Sequence, residues 1–209
     1  TQELVNLLEY SSCYMKKKYD ARLRVHDLSL KKGGKFYLGD QTGPPHISHQ
    51  SGLDADVGFY TYDKGKGKYN NVYSKVCKLV DGSGRRECDG FREDFNNSQA
   101  LEANWNFIKV LQEAYDVKSI LINGGIYRLL KKHVDEKHPG EWDKYSKVIP
   151  KKFTSHHDHY HIRIKCPKGD DDCSPKDDRA TKERVVAPKS SSPVVSGGTT
   201  PTEIFTASL

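Results

Sequence analysis

The sequence predicts an α+β fold in which a central antiparallel β-sheet is flanked by helices and long loops, and three observations predict it. Residues 54–59 and 159–164 alternate polar and apolar side chains with the period of a strand. Residues 98–115 carry large apolar side chains at helical spacing. Strands and helices follow one another irregularly, unlike the regular alternation of a parallel α/β chain.

Each element has its own signal. Leu4, Leu7 and Leu8 fall at helical spacing and predict a short packing helix within residues 1–10. Ala55, Val57 and Phe59 alternate with Asp54, Asp56 and Gly58, so both carboxylates lie on the polar face of a strand. His49 precedes that strand among Gly43, Pro44, Pro45, Ser48, Ser51 and Gly52, so it projects from a loop, and Gly52 lets the loop bend. Ser98 is placed to cap a helix whose Leu101, Trp105, Ile108, Leu111 and Tyr115 form a core stripe. Residues 118–122 read as a strand, and Asn123-Gly-Gly125 as a turn into a helix near 126–136. In the last strand His159, His161 and Arg163 share one face, while Tyr160, Ile162 and Ile164 turn to the core. From about Pro175 the chain becomes rich in Ser, Gly, Thr and Pro, which divides it into one domain at 1–174 and a flexible C-terminal tail at 175–209.

Composition bounds the function. A hydrophobic fraction of 35% suffices for one core, and no apolar run approaches a transmembrane helix. The chain opens without an initiating Met or a signal-like stretch, as expected of a mature or trimmed form. A net charge of +6 favours approach to an anionic polymer, cell wall or nucleic acid alike. Lys31-Lys-Gly-Gly-Lys35 and Lys64-Gly-Lys-Gly-Lys68 are basic glycine loops able to touch either polymer, although most such runs are merely solvated; neither leads into a recognisable helix as a phosphate-binding loop would, so nucleotide binding has little support.

The chemistry resides in two segments far apart in sequence, His49-Gln-Ser-Gly-Leu-Asp-Ala-Asp56 and His156-His-Asp-His-Tyr-His161. Together they supply two imidazoles and a carboxylate for one zinc ion, with further imidazoles for proton transfer. Structural zinc sites are usually closed by four protein ligands, often Cys, so this set points to a hydrolytic centre. Asp54 and Asp56 are both able to be the carboxylate ligand, and spacing alone does not choose between them.

Ser48-His-Gln-Ser-Gly-Leu-Asp-Ala-Asp56 and His159-Tyr-His-Ile-Arg-Ile-Lys-Cys-Pro167 resemble the penicillin-insensitive murein endopeptidases, within the lysostaphin and D-alanyl-D-alanine peptidase superfamily of zinc enzymes. The likeness runs from roughly Gly39 to Cys173. It implies that the sheet carries the zinc site, with His49, Asp56 and His161 as ligands, and it selects Asp56 over Asp54 by the family spacing. It implies His159 as general base, His156 as a further active-site histidine donating to the developing oxyanion, and His46 as another histidine near the metal. Asp54 or Asp158 would orient a ligand histidine from behind. Arg163 is either a solvated edge residue or a binder of a substrate carboxylate.

Of five cysteines, Cys77 and Cys88 bracket a turn-prone loop and Cys166 and Cys173 another directly after the last strand, an arrangement similar to one in the same endopeptidases. Closing a loop of about ten residues is worth roughly 2 to 3 kcal/mol. Cys13 has no evident partner. Two bridges imply a periplasmic or secreted protein. The resemblance implies hydrolysis of D-alanyl–diaminopimelate cross-links in peptidoglycan, with cross-link peptides as partners and no nucleic acid. Two alternatives belong to other classes: a non-catalytic zinc-containing module that binds cell-wall peptides, and a zinc nuclease.

Overall fold

The computed structural model describes residues 1–28, 49, 51–79, 88–151 and 155–169. Helix α1 (Gln2–Tyr19) is longer than its leucines suggested, because Ser11 and Met15 continue the buried stripe of Leu4, Leu7 and Leu8 by two further turns. Strands β1 (Asp54–Asp63) and β2 (Lys68–Val72) form a hairpin through the basic glycine turn, where Asp63 accepts a hydrogen bond from the Lys66 backbone N–H at 3.1 Å. Strands β3 (Cys77–Leu79) and β4 (Cys88–Phe91) make a separate two-stranded ribbon, closed by the Cys77–Cys88 disulfide that the loop between them predicted.

Helix α2 (Ser98–Ala114) begins one residue differently from expectation. Asn97 is the cap, its side chain accepting from the Ala100 N–H at 2.9 Å, and Ser98 is already helical. Strand β5 (Val117–Leu121) precedes helix α3 (Gly124–Lys137), and Asn123 caps α3 by accepting from the Gly125 N–H at 2.8 Å. The two glycines therefore open the helix rather than forming a turn before it, and Gly125 is required there. A Cβ at that position would lie 2.6 Å from the Cys88 Cβ. A short helix α4 (Glu141–Tyr145) and a 3-10 turn (Ser146–Val148) lead to strand β6 (His159–Ile164).

The main sheet has the order β2-β1-β6-β5 with every pair antiparallel, which confirms the expected α+β architecture. Its register decides what the two sequence motifs can do. Asp56 stands directly across from His161, Asp54 from Arg163, and Gly58 from His159. On its other edge the same half of β1 is covered by residues 24–27: the Gly58 N–H donates to Arg24 O at 3.0 Å, the His26 N–H to Asp56 O at 2.9 Å and the Asp56 N–H to Asp27 O at 2.9 Å. Asp56 is thus fixed from both sides.

The opposite face of the sheet is apolar and packs on α2. The Tyr160 ring lies 4.4 Å from Phe59 and 5.4 Å from Phe107, centroid to centroid, and its hydroxyl donates to Asn104 Oδ1 at 2.7 Å. Asn104 also accepts from the Tyr60 N–H at 3.0 Å and donates to Tyr60 O at 2.7 Å, so one side-chain amide pairs both backbone groups of a central strand residue. Cys13 is a free, exposed thiol. Cys166 is disulfide-bonded, whereas Cys173 and the tail beyond it lie outside the described residues.

Candidate metal centre

Strand register brings the two motifs onto one face. His49, Asp56 and His161 are all buried, and their candidate ligand atoms lie within 4.8 Å of one another. One carboxylate oxygen is the common point: Asp56 Oδ1 is 3.3 Å from His49 Nε2 and 2.9 Å from His161 Nδ1. The His49 and His161 rings stand nearly perpendicular at 88° with centroids 4.9 Å apart, so each directs a nitrogen toward that point without stacking. His46 lies outside the described residues.

Two further carboxylates fix which nitrogen of each strand histidine is available. Asp54 Oδ1 is 2.9 Å from His161 Nε2, and Asp158 Oδ1 is 2.7 Å from His159 Nδ1. A carboxylate only accepts, so each holds a proton on the nitrogen it faces and leaves the other nitrogen as the lone-pair donor. For His161 that donor is Nδ1, the atom facing Asp56. For His159 it is Nε2, which lies 3.6 Å from Asp56 Oδ2 at the rim of the cluster. Asp54 is therefore a buried orienting group, not a surface residue, and Asp158 serves His159 rather than a ligand.

A lone pair on His161 Nδ1 facing a carboxylate oxygen at 2.9 Å requires a cation between them. This is the observation by which the residues fit a metal ion: two imidazoles and one carboxylate, buried and converging. In the metal-free chain a proton fills that role. Burial alone would depress the pKa of His161, but hydrogen bonds to Asp54 and Asp56 outweigh it and raise it to about 9. Burial likewise would raise Asp56, yet hydrogen bonds from His161 and His49 hold its carboxyl well below the usual carboxylate range.

His156 completes the cluster from a loop. Its ring centroid is 4.9 Å from that of His159 and 5.3 Å from that of His161. The residue adopts φ of 58°, the left-handed region that non-glycine residues rarely occupy, and the Asn123 N–H donates to its carbonyl at 3.0 Å. The Val76 N–H donates to the carbonyl of His157 at 3.1 Å, so the ribbon and the start of α3 together hold this loop in place. Burial, followed by repulsion from His159 and His161, lowers the pKa of His156 to about 3. It is a neutral imidazole at neutral pH.

The motif reading did not find Tyr73. Its ring stacks on His159 at 4.8 Å with 12° between planes, and His26 lies against the same tyrosine at 3.8 Å. No spacing rule links residues 26, 73 and 159; β1 brings them together, with Val72 opposite Phe59, His159 opposite Gly58 and Val25 opposite Val57. Of the two roles open to Arg163, the structure shows a contact with Asp54: its guanidinium is 3.4 Å from that carboxylate, which itself faces His161.

Among the described residues no helix is long and apolar enough to cross a membrane. A family model described as penicillin-insensitive murein endopeptidase matches residues 1–187. Relatives bearing that name include one from Yersinia pestis, 24% identical over 180 residues covering 84% of this chain and 56% of the relative. Others come from Yersinia enterocolitica, 25% identical over the same length, and Pectobacterium atrosepticum, 25% identical over 171 residues covering 82% and 54%. The chain spans about half the length of these curated relatives. With the matched model spanning both histidine motifs, the chain belongs to the penicillin-insensitive murein endopeptidase family.

Proposed function

We propose that the chain is a zinc-dependent endopeptidase that hydrolyses D-alanyl–diaminopimelate cross-links of peptidoglycan. The observation that carries this reading is the convergence of His49, Asp56 and His161 on one point, with the lone pair of His159 Nε2 at its rim. His49 Nε2, Asp56 Oδ1 and His161 Nδ1 would hold zinc. Bound there, zinc would polarise the scissile carbonyl and acidify a water molecule.

The remaining steps belong to the side chains. His159 accepts the proton of the attacking water at Nε2, and Asp158 stabilises the imidazolium that forms by accepting from Nδ1–H at 2.7 Å. The same Nε2–H then delivers the proton to the departing amine. His156, neutral through burial, donates an N–H to the developing oxyanion. Tyr73, stacked on His159, limits the base to one ring plane and shields it from water on that side. Asp54 keeps His161 turned with Nδ1 toward the metal.

The mild basic charge supports approach to an anionic wall polymer, and the Cys77–Cys88 disulfide supports a periplasmic or secreted setting. We assign catalysis to residues 1–174.

The test incubates zinc-loaded protein and its His159→Ala form with purified cross-linked muropeptide dimers and follows the products by mass spectrometry. Monomers released by the parent alone support the assignment and identify the bond. Dimers that survive a chain with zinc demonstrably bound sink it and leave a peptide-binding module.

A further inference from the structure

Away from the candidate centre, a second set of metal-type donors meets between α2 and the end of α3. Glu102 Oε2 is 3.1 Å from His133 Nε2 and 2.7 Å from His138 Nε2, and the ligand atoms of all three lie within 4.8 Å of one another. The spacing of the two histidines would not suggest this. Five residues apart on a continuous helix they would point in different directions. The helix ends, however: His138 is its C-cap with φ of −136° and ψ of 63°, followed by Pro139, and the bend returns its ring to the side of His133, with ring centroids 6.4 Å apart.

The surroundings settle the valence of the carboxylate. Asn106 donates to Glu102 Oε1 at 2.7 Å, so only Oε2 faces the imidazoles, as in monodentate coordination. Glu141 Oε2 is occupied by Trp105 Nε1 and Lys109 Nζ, both at 2.9 Å, and stands 4.0 Å from His138 Nδ1; it supports the ring without competing for the centre. His133 is buried at 6% side-chain exposure, whereas Glu102 and His138 keep 32% and 26%, which leaves an open side for an ion and a water ligand. Ligands bonded at about 2.0–2.1 Å to a tetrahedral zinc lie roughly 3.3 Å apart. Glu102 would need to draw back by about 0.2 Å from His133 and about 0.6 Å from His138.

We propose that Glu102, His133 and His138 form a second divalent-metal site, selective for zinc-class ions over magnesium or calcium. Two imidazoles and one carboxylate suit a borderline-soft cation, and hard cations would demand more oxygen ligands. The sheet separates this site from the candidate centre: α2 packs on the Tyr160 face of β6, while His159 and His161 lie on the other. Metal here ties α2 to the C-terminal end of α3 and so acts on stability rather than on the reaction.

The site does not depend on the proposed hydrolysis, and its test reads metal content. Metal-free full-length chain is equilibrated with Zn2+, dialysed, and its metal measured by elemental mass spectrometry, with far-UV circular dichroism confirming the fold of each variant. The parent is expected to retain one equivalent per cluster, His161→Ala to keep the equivalent at Glu102, His133 and His138, and the His161→Ala/His138→Ala pair to keep none. Co2+ bound to His161→Ala is expected to show the visible absorption of a tetrahedral nitrogen–oxygen site, lost on Glu102→Gln, which preserves side-chain volume. Folded His161→Ala protein that retains no zinc, or His138→Ala protein that retains as much as the parent, would overturn the inference and leave a purely hydrogen-bonded trio.

Discussion

Asp54 and His161 are joined by a 2.9 Å contact from Oδ1 to Nε2, and this contact decides which nitrogen of His161 faces Asp56. Both residues sit on neighbouring strands, so their relation is set by register and not by a flexible loop. Removing an orienting partner of a ligand histidine typically weakens metal binding about 10- to 100-fold. Asp54→Asn keeps an acceptor oxygen but removes the charge that faces Arg163 as well, and it is expected near the lower end of that range. Zinc affinity measured by chelator competition checks this; an unchanged affinity would show that the register alone orients His161.

Asp158 is expected to separate from Asp54 in its effects. It contacts His159, which we propose as the base and not as a ligand, at 2.7 Å, and a hydrogen bond from His159 holds its own pKa below the usual carboxylate value. Asp158→Asn lets the His159 ring reverse its tautomer, so turnover of a muropeptide dimer should fall by about 10²-fold or more while zinc content stays at the parent level. Loss of zinc together with activity would instead place Asp158 in metal binding.

The metal-free chain carries a pH signature. His161 has a folded pKa raised from 6.5 to about 9, against the depressing effect of burial, by Asp54 and Asp56. A raised pKa means that the contribution to stability is fully present below 6.5 and is lost as pH climbs through about 9. Denaturant midpoints of metal-free protein should decline across that interval. Zinc-loaded protein should not follow, because the metal takes the place of the proton. Parallel pH profiles for the two forms would contradict the shared position of proton and metal.

The two motifs and their strands were legible because strand alternation and metal-ligand chemistry are both local patterns: residues 54–59 and 159–164 announce their faces by side-chain type alone. Helix limits were less legible. Ser98 and Asn97 are both good caps, and only the hydrogen bond to Ala100 selects Asn97. The role of Asp54 depended on knowing that β1 and β6 are adjacent and antiparallel, and the place of Tyr73 on β2 and β6 lying on either side of β1. The Glu102, His133 and His138 cluster was invisible for a sharper reason. Its histidines lack helical spacing, and the bend at His138 that unites them is a tertiary event.

Asn104 is the energetic counterpart of these polar contacts on the apolar face. Its amide serves the Tyr60 backbone N–H and carbonyl and the Tyr160 hydroxyl, all buried. Stranding a buried polar group costs about 1–3 kcal/mol, so Asn104→Ala is expected to lose about 3 kcal/mol or more. Tyr160→Phe removes one donor while Asn104 Oδ1 keeps the Tyr60 N–H, and should cost about 1 kcal/mol. Urea unfolding of both variants checks the ratio; equal losses would mean that Tyr160, not the backbone of Tyr60, is what Asn104 supports.

His156 offers the clearest separation of stability from function. Its φ of 58° is natural for glycine and costs an L residue roughly 1–2 kcal/mol, and the loop tolerates it because Asn123 and Val76 bind the carbonyls of His156 and His157. Glycine also adds unfolded-state freedom, of roughly 0.5–1 kcal/mol relative to alanine, which offsets part of the relief. His156→Gly should therefore unfold at an equal or slightly higher denaturant midpoint than the parent, whereas His156→Ala, which keeps the strain, should fall below His156→Gly. Both lack the imidazole that we propose donates to the oxyanion, so both should lose about 10²- to 10³-fold in turnover. Stability that rises while turnover falls is the pattern of a residue held in a strained conformation for its chemistry. A His156→Gly enzyme with parental turnover would remove His156 from the reaction.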